Sequence, residues 1–200
     1  MTRSLTQCLA ILLCIAFAPP VTAQSVVAQT SSREKVYLLR GFMNVFSPGL
    51  DQFADELRQR NIEATVANNS EAAALAASAI QDCNSGRVSS IVIIGHSAGA
   101  RAALDMAERL RQAGIRVALV VTLDPVVTLA APGNVRRLEN FYLSNGWGKP
   151  VQRDARFRGS LQNADLKGDP ELGHVSLTTS PVIHQRVLRS VAAAAGNRCR

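Results

Sequence analysis

Aromatic side chains are scarce in this chain, at 4% of 200 residues, while alanine, valine, leucine and isoleucine abound. A core of that kind relies on close helix-on-sheet packing rather than on large rings. A membrane span, which takes about 20 apolar residues, is also missing. The run from Cys8 to Ala18 is stopped by Pro19 and Pro20. No cluster of metal-ligating residues and no phosphate-cradling glycine loop is present, so neither a metal nor a cofactor is expected. The chain is basic, with a net formal charge of +7. Basic residues gather between Arg136 and Lys167, but they are scattered, lack interleaved aromatics and match no nucleic-acid-binding module. They read as a solvated face, with peripheral contact to an anionic envelope surface as the other reading. No nucleic-acid partner is expected.

The chain opens with Arg3, then the short apolar run, then Val21-Thr22-Ala23. Those are the three regions of a secretory signal. Leu13, not a small residue, precedes Cys14, so a lipoprotein cleavage site is not expected. The expectation is an exported protein, periplasmic or secreted, cut near Ala23. A polar leader would follow over residues 24–34, then a single domain over residues 35–200. Cleavage would leave Cys83 and Cys199, and an even pair in an exported protein favours a disulfide.

From residue 35 onward, short apolar runs alternate with longer amphipathic stretches. Strands are expected over 35–40, 61–66, 88–94, 116–123 and, more weakly, 138–143. Helices are expected after Ser47-Pro48 (an N-cap and a first-turn proline), after Asn69, from Ala98 to Gly114, and over 178–195. Residues 144–173 read as long loops. Near-continuously apolar strands alternating with helices imply a mainly parallel sheet covered on both faces, a three-layer α/β architecture. There is no internal repeat and no room for a large cap domain.

The sharpest local feature is Ile94-Gly95-His96-Ser97-Ala98-Gly99-Ala100, placed between a strong strand and a strong helix. Ligand sites of parallel sheets gather beyond the carboxyl ends of strands. The helix N-terminus there presents free amides to developing negative charge. This segment resembles the nucleophile elbow of the α/β-hydrolases, and the resemblance covers essentially the whole chain after the leader. It implies an α/β-hydrolase-like fold with Ser97 as nucleophile and the acid and then the histidine following in that order.

Of the three histidines, His96 lies inside the elbow and reads as a packing residue, and His184 falls inside the last helix. His174, in the loop Leu172-Gly173-His174-Val175-Ser176, stands where similar enzymes carry the base. Asp124, at the end of a strand and followed by Pro125, is the first choice for the acid. Asp154, Asp165 and Asp169 are rivals. The backbone amide of Ala98 would form half of an oxyanion hole. The other half falls on Arg40-Gly41-Phe42-Met43, with Phe42 as first choice and Met43 as alternative. That segment departs from the family pattern in having Arg40 where histidine is usual. Phe42 and Phe46 are candidates for apolar walls.

The function implied is an exported serine hydrolase cleaving a carboxylic ester or thioester through an acyl-enzyme, as an esterase, lipase or thioesterase does. Its substrate would be a small-molecule or lipid-like acyl ester. A non-catalytic envelope or secretion-associated binding protein on the same fold is the alternative.

Overall fold

The apolar runs become the inner strands of one parallel sheet in the computed structural model, which describes residues 33–42 and 47–200. The expected signal, nearly all of the leader, Met43 and Phe46 lie outside the described residues. In chain order the elements are β1 (Glu34–Arg40), α1 (Gly49–Arg58), β2 (Glu63–Asn68), α2 (Ala72–Asn84), β3 (Ser90–His96) and α3 (Ala98–Gln112). There follow β4 (Leu119–Leu123), β5 (Leu129–Ala131), β6 (Arg137–Tyr142), β7 (Val151–Arg153), β8 (Ser160–Asp165) and α4 (Pro181–Ala194). Six strands form the sheet in the order β2-β1-β3-β4-β6-β8, all parallel, and β5 pairs with β7 apart from it.

Alternation along each strand sends neighbours to opposite faces. Tyr37, Leu39, Ile91 and Ile93 meet the alanine-rich faces of α2 and α3, including Ala76, Ala79, Ala103 and Ala107. Val36, Leu38, Val92 and Ile94 meet Leu50, Phe53 and Leu57 of α1 and Ile183, Val187 and Val191 of α4. A three-layer α/β architecture, helices on both faces of a parallel sheet, follows directly from those two clusters. Cys83 at the end of α2 is disulfide-bonded to Cys199, closing a loop that contributes about 4–5 kcal/mol in the chain-entropy description. Among the described residues no helix is long and apolar enough to cross a membrane.

Several boundaries differ from expectation for identifiable reasons. Glu34, placed in the leader by sequence, already pairs with Ser90 as the first residue of β1. Asn61 adopts a left-handed φ of 59°, so β2 cannot start there and begins at Glu63. Ser47 does not cap α1 with its side chain; its hydroxyl is turned to His96, 2.7 Å from Nδ1. The last helix starts at Pro181, capped by Ser180, after a separate turn at Ser176–Thr178.

The segment read as loops contains β7 and β8. The strand β8 (Ser-Leu-Gln-Asn-Ala-Asp) is an edge strand without an apolar run, and side-chain amides tie it in. Thr122 Oγ1 donates to Asn140 Oδ1 at 2.8 Å, and Asn140 Nδ2 donates to Asn163 Oδ1 at 2.8 Å. These three residues are aligned across β4, β6 and β8.

Candidate active site

The chain runs from β1 outward to β2, then returns to β3 and proceeds the other way through β4, β6 and β8. The crevice between the carboxyl ends of β1 and β3 is therefore the point where strand order reverses, the habitual ligand site of open parallel sheets. Ser97 follows β3 on one side of it, and Gly41 follows β1 on the other, with only 3.1 Å between Ser97 Cβ and a Cβ built at Gly41.

Ser97 takes φ 57° and ψ −121°, a conformation that costs a non-glycine residue of order 1–3 kcal/mol. Two glycines make that turn possible. A Cβ at Gly95 would collide with the carbonyl of Gly99, and one at Gly99 with the carbonyl of Leu39. Ser97 N–H is held by Leu123 O at 2.9 Å. Ala98 opens α3, so its amide has no acceptor within the helix. Gly41 N–H donates to Ser47 Oγ at 3.1 Å. Phe42 N–H has no partner among the described residues.

Ser97 Oγ lies 3.1 Å from Nε2 of His174, and Nδ1 of His174 lies 2.6 Å from Oδ2 of Asp124. With an acceptor-only carboxylate at Nδ1, the ring proton sits there, and Nε2 is left to accept from the serine hydroxyl. Asp124 is only 1% exposed. Its other oxygen, Oδ1, accepts from Leu143 N–H at 2.8 Å, and its backbone is strained at φ 48°. Gly148 is part of this support, since a Cβ there would collide with Asp124 Oδ1.

The other titratable candidates have different partners. Asp154 binds Arg156, Asp165 binds Ser144 and Lys167, and Asp169 accepts from Glu171 N–H. His184 is buried in α4 between Glu56 and the carbonyl of Thr178. Arg40, the departure from the family pattern, forms an ion pair with Asp51 of α1.

His96 is more than a packing residue. It is completely buried, and its Nε2 lies 2.8 Å from the carbonyl oxygen of His174. A carbonyl can only accept, so Nε2 carries the proton and Nδ1 accepts from Ser47 Oγ–H. Ser47 in turn accepts from Gly41 N–H. One buried imidazole thus links the loop after β1 to the backbone of His174. Burial, with a further contribution from the neighbouring His174 charge, pushes its pKa down to about 4, which keeps the neutral tautomer this network needs. No local pattern signals the link, because Ser47 and His174 are separated from His96 by 49 and 78 residues.

Trp147 was also not singled out by the sequence. It is 68% exposed and presents its indole edge-on to the His174 ring at 5.1 Å. Together with Leu143, Leu172 and Asn145 it lines a groove of about 250 Å³ that reaches His174 and Asp124. Phe42, Val127, Trp147 and Val175, exposed apolar residues, follow β1 or β4 or flank this groove.

No family model matches the chain, and no curated protein does. Among solved structures, it is similar to a type II thioesterase from the borrelidin biosynthetic cluster, at 11% identity, covering 79% of this chain and 92% of that one, with a TM-score of 0.49. It is also similar to a cutinase-like protein from Cryptococcus sp., at 15% identity, 82% and 96% coverage and a TM-score of 0.49. A thioesterase of the prodiginine pathway in Streptomyces coelicolor gives 11% identity, 90% coverage of both chains and a TM-score of 0.48.

Proposed function

We propose that this chain is a serine hydrolase that cleaves carboxylic esters or thioesters through an acyl-enzyme. One observation carries the reading: a serine at a left-handed elbow lies 3.1 Å from an imidazole whose far nitrogen is 2.6 Å from a buried carboxylate. A serine hydroxyl is a weak nucleophile until a base takes its proton, and the base must be oriented and its cation stabilised. Ser97 Oγ attacks the carbonyl carbon as its proton passes to His174 Nε2, and Asp124 stabilises the resulting imidazolium. The oxyanion is received by the amides of Ala98 and Phe42. Collapse breaks the C–O or C–S bond, and His174 returns the proton to the leaving oxygen or sulfur. Water then repeats the attack on the acyl-serine, with His174 as base, and the carboxylic acid leaves as Ser97 regains its proton.

The leaving group must come within reach of His174, so the groove between His174 and Trp147 is its natural seat. Its apolar walls, with exposed Phe42 beside the elbow, suit a lipid-like or otherwise apolar acyl ester. The disulfide favours an oxidising compartment, consistent with an exported enzyme.

The test is hydrolysis of p-nitrophenyl esters of increasing acyl length, beside matched acyl-thioesters, by the parent and by Ser97→Ala. Turnover that rises with chain length and is lost in the variant is expected. A well-folded parent inert toward both series would leave the non-catalytic binding protein as the better reading.

A further inference from the structure

The opposite edge of the sheet carries a second feature. Because the strands are parallel, residues just ahead of each strand share one edge, away from Ser97. Arg116 precedes β4, Arg136 precedes β6 and Arg158 precedes β8, three neighbouring strands. All three line one groove of about 300 Å³, with Gly133, Asn134 and Gly159. Strands lie about 5 Å apart, so the three side chains spring from backbone within roughly 10 Å.

This arrangement is held firmly. Arg136 N–H donates to Val117 O and Ser160 N–H donates to Arg136 O, both at 2.9 Å. Arg116 N–H donates to the carbonyl of the disulfide-bonded Cys199 at 2.9 Å. A Cβ at Gly159 would collide with the carbonyl of Val135, so glycine there lets the chain ahead of β8 press against β6.

Charge sets this groove apart: three arginines line it and no carboxylate does. Arg58, Arg101, Arg111, Arg137 and Arg156 each reach a carboxylate. Arg116, Arg136 and Arg158 form no ion pair among the described residues. The hydrogen bonds of Arg158 run from Nη1 to its own loop, to Ala155 O and Phe157 O. Three cations lining one groove without a carboxylate give it a positive potential that favours a bound anion. Guanidinium forks match phosphate oxygens, and a tetrahedral group can engage three forks at once, whereas a carboxylate has two oxygens. The exposed aromatics Phe42 and Trp147 belong to the other edge, so the groove lacks the stacking surface that single-stranded nucleic acid uses.

We propose that Arg116, Arg136 and Arg158 form a binding site for a phosphate group, on the edge of the sheet opposite Ser97. The experiment compares thermal unfolding of the parent and of R116Q/R136Q/R158Q at fixed ionic strength, with chloride replaced by inorganic phosphate. At a hundred times the dissociation constant, the parent should melt about 5 °C higher in phosphate. The triple variant should lose that phosphate-specific rise and melt above the parent in low-salt chloride. Its p-nitrophenyl ester hydrolysis should match the parent's, showing that it folds; if it does not fold, Arg136→Gln alone should halve the response or better. Equal melting of the parent in chloride and phosphate overturns the proposal, as does an undiminished response in the variants. Two further arms identify the source of the phosphate. Binding of glycerol phosphate in solution assigns a soluble phosphoester, and variant-sensitive sedimentation with phosphatidylglycerol vesicles but not phosphatidylcholine vesicles assigns a lipid headgroup. Retention by single-stranded DNA with no response to either overturns it.

Discussion

At the carboxyl ends of the strands, Ser97 and Asp124 hold left-handed backbone, exposed Trp147 lines a groove, and exposed Phe42 follows β1. At the amino ends, about 20 Å away along a seven-residue strand, the left-handed positions are mostly glycines, Gly86 and Gly114, with Asn61 beside them; a disulfide fastens the C-terminal segment, and arginines face solvent. Two buried groups beside Ser97 contrast with one at the far edge. His96 and Asp124 have partners for every hydrogen-bonding atom of their side chains. Glu34, at the amino end of β1, has a carboxyl oxygen with no partner among the described residues, and burial lifts its pKa to about 7. One parallel sheet thus separates two tasks. Among the described residues, two of the three non-glycine positions with positive φ and the linked bonds of His96, His174 and Asp124 sit where chemistry is proposed, while the other edge holds an unsatisfied acid and clustered cations.

The largest effect that should distinguish the edges is on turnover. Asp124→Asn, which leaves the fold and the groove intact but misdirects the His174 proton, is expected to lower kcat by about 10⁴, measured with a p-nitrophenyl ester. Activity within tenfold of the parent would move the acid elsewhere. Next comes His96, a positioning residue that bonds the backbone of His174 and packs against its ring at 4.7 Å between centroids. His96→Phe should lower kcat by roughly 10²-fold with little change in KM, since a small misplacement of the base suffices. His96→Gln, which can still donate to the His174 carbonyl, should recover part of that loss. Equal effects of Phe and Gln would mean that the ring only fills space.

The smallest effect is on stability against pH, and it has opposite signs at the two edges. Glu34 is raised from 4.5 to about 7. Between those values the folded state keeps a proton that the unfolded state gives up, so its contribution is full below 4.5 and is lost as pH rises through about 7. His96 is lowered from 6.5 to about 4. There the unfolded state takes a proton that the folded state refuses, so its contribution is full above 6.5 and is lost as pH falls through about 4. Each slope is at most about 1.4 kcal/mol per pH unit, and they oppose one another between 4.5 and 6.5. Urea unfolding across that window should give Glu34→Gln a more positive slope than the parent and His96→Gln a more negative one. Parallel curves for all three would contradict both assignments.

The two edges were unequally legible in the sequence. The inner strands were visible because burial on both faces demands continuous apolar runs such as Ile91-Val92-Ile93-Ile94. The elbow was visible because glycines bracket a serine between a strand and a helix. The strand β8 was not, because Thr122, Asn140 and Asn163 replace apolar contacts by a ladder of amide bonds that has no local period. The roles of Ser47, read as a helix cap, and His96, read as packing, and of Trp147 and Gly148 escaped for a related reason: each acts on a residue distant in sequence, and only the fold brings them together. The arginine groove was half visible. The basic stretch drew notice, but Arg116 lies outside it, and only parallel pairing places Arg116 beside Arg136 and Arg158.

The most direct measurement is labelling of the purified protein with a fluorophosphonate probe, followed by peptide mapping. The expected result is a single adduct on Ser97 that is absent in Ser97→Ala and strongly slowed in His174→Ala. A folded protein that takes no label, or takes it equally well without Ser97, would contradict the assignment of the serine elbow as the reacting centre.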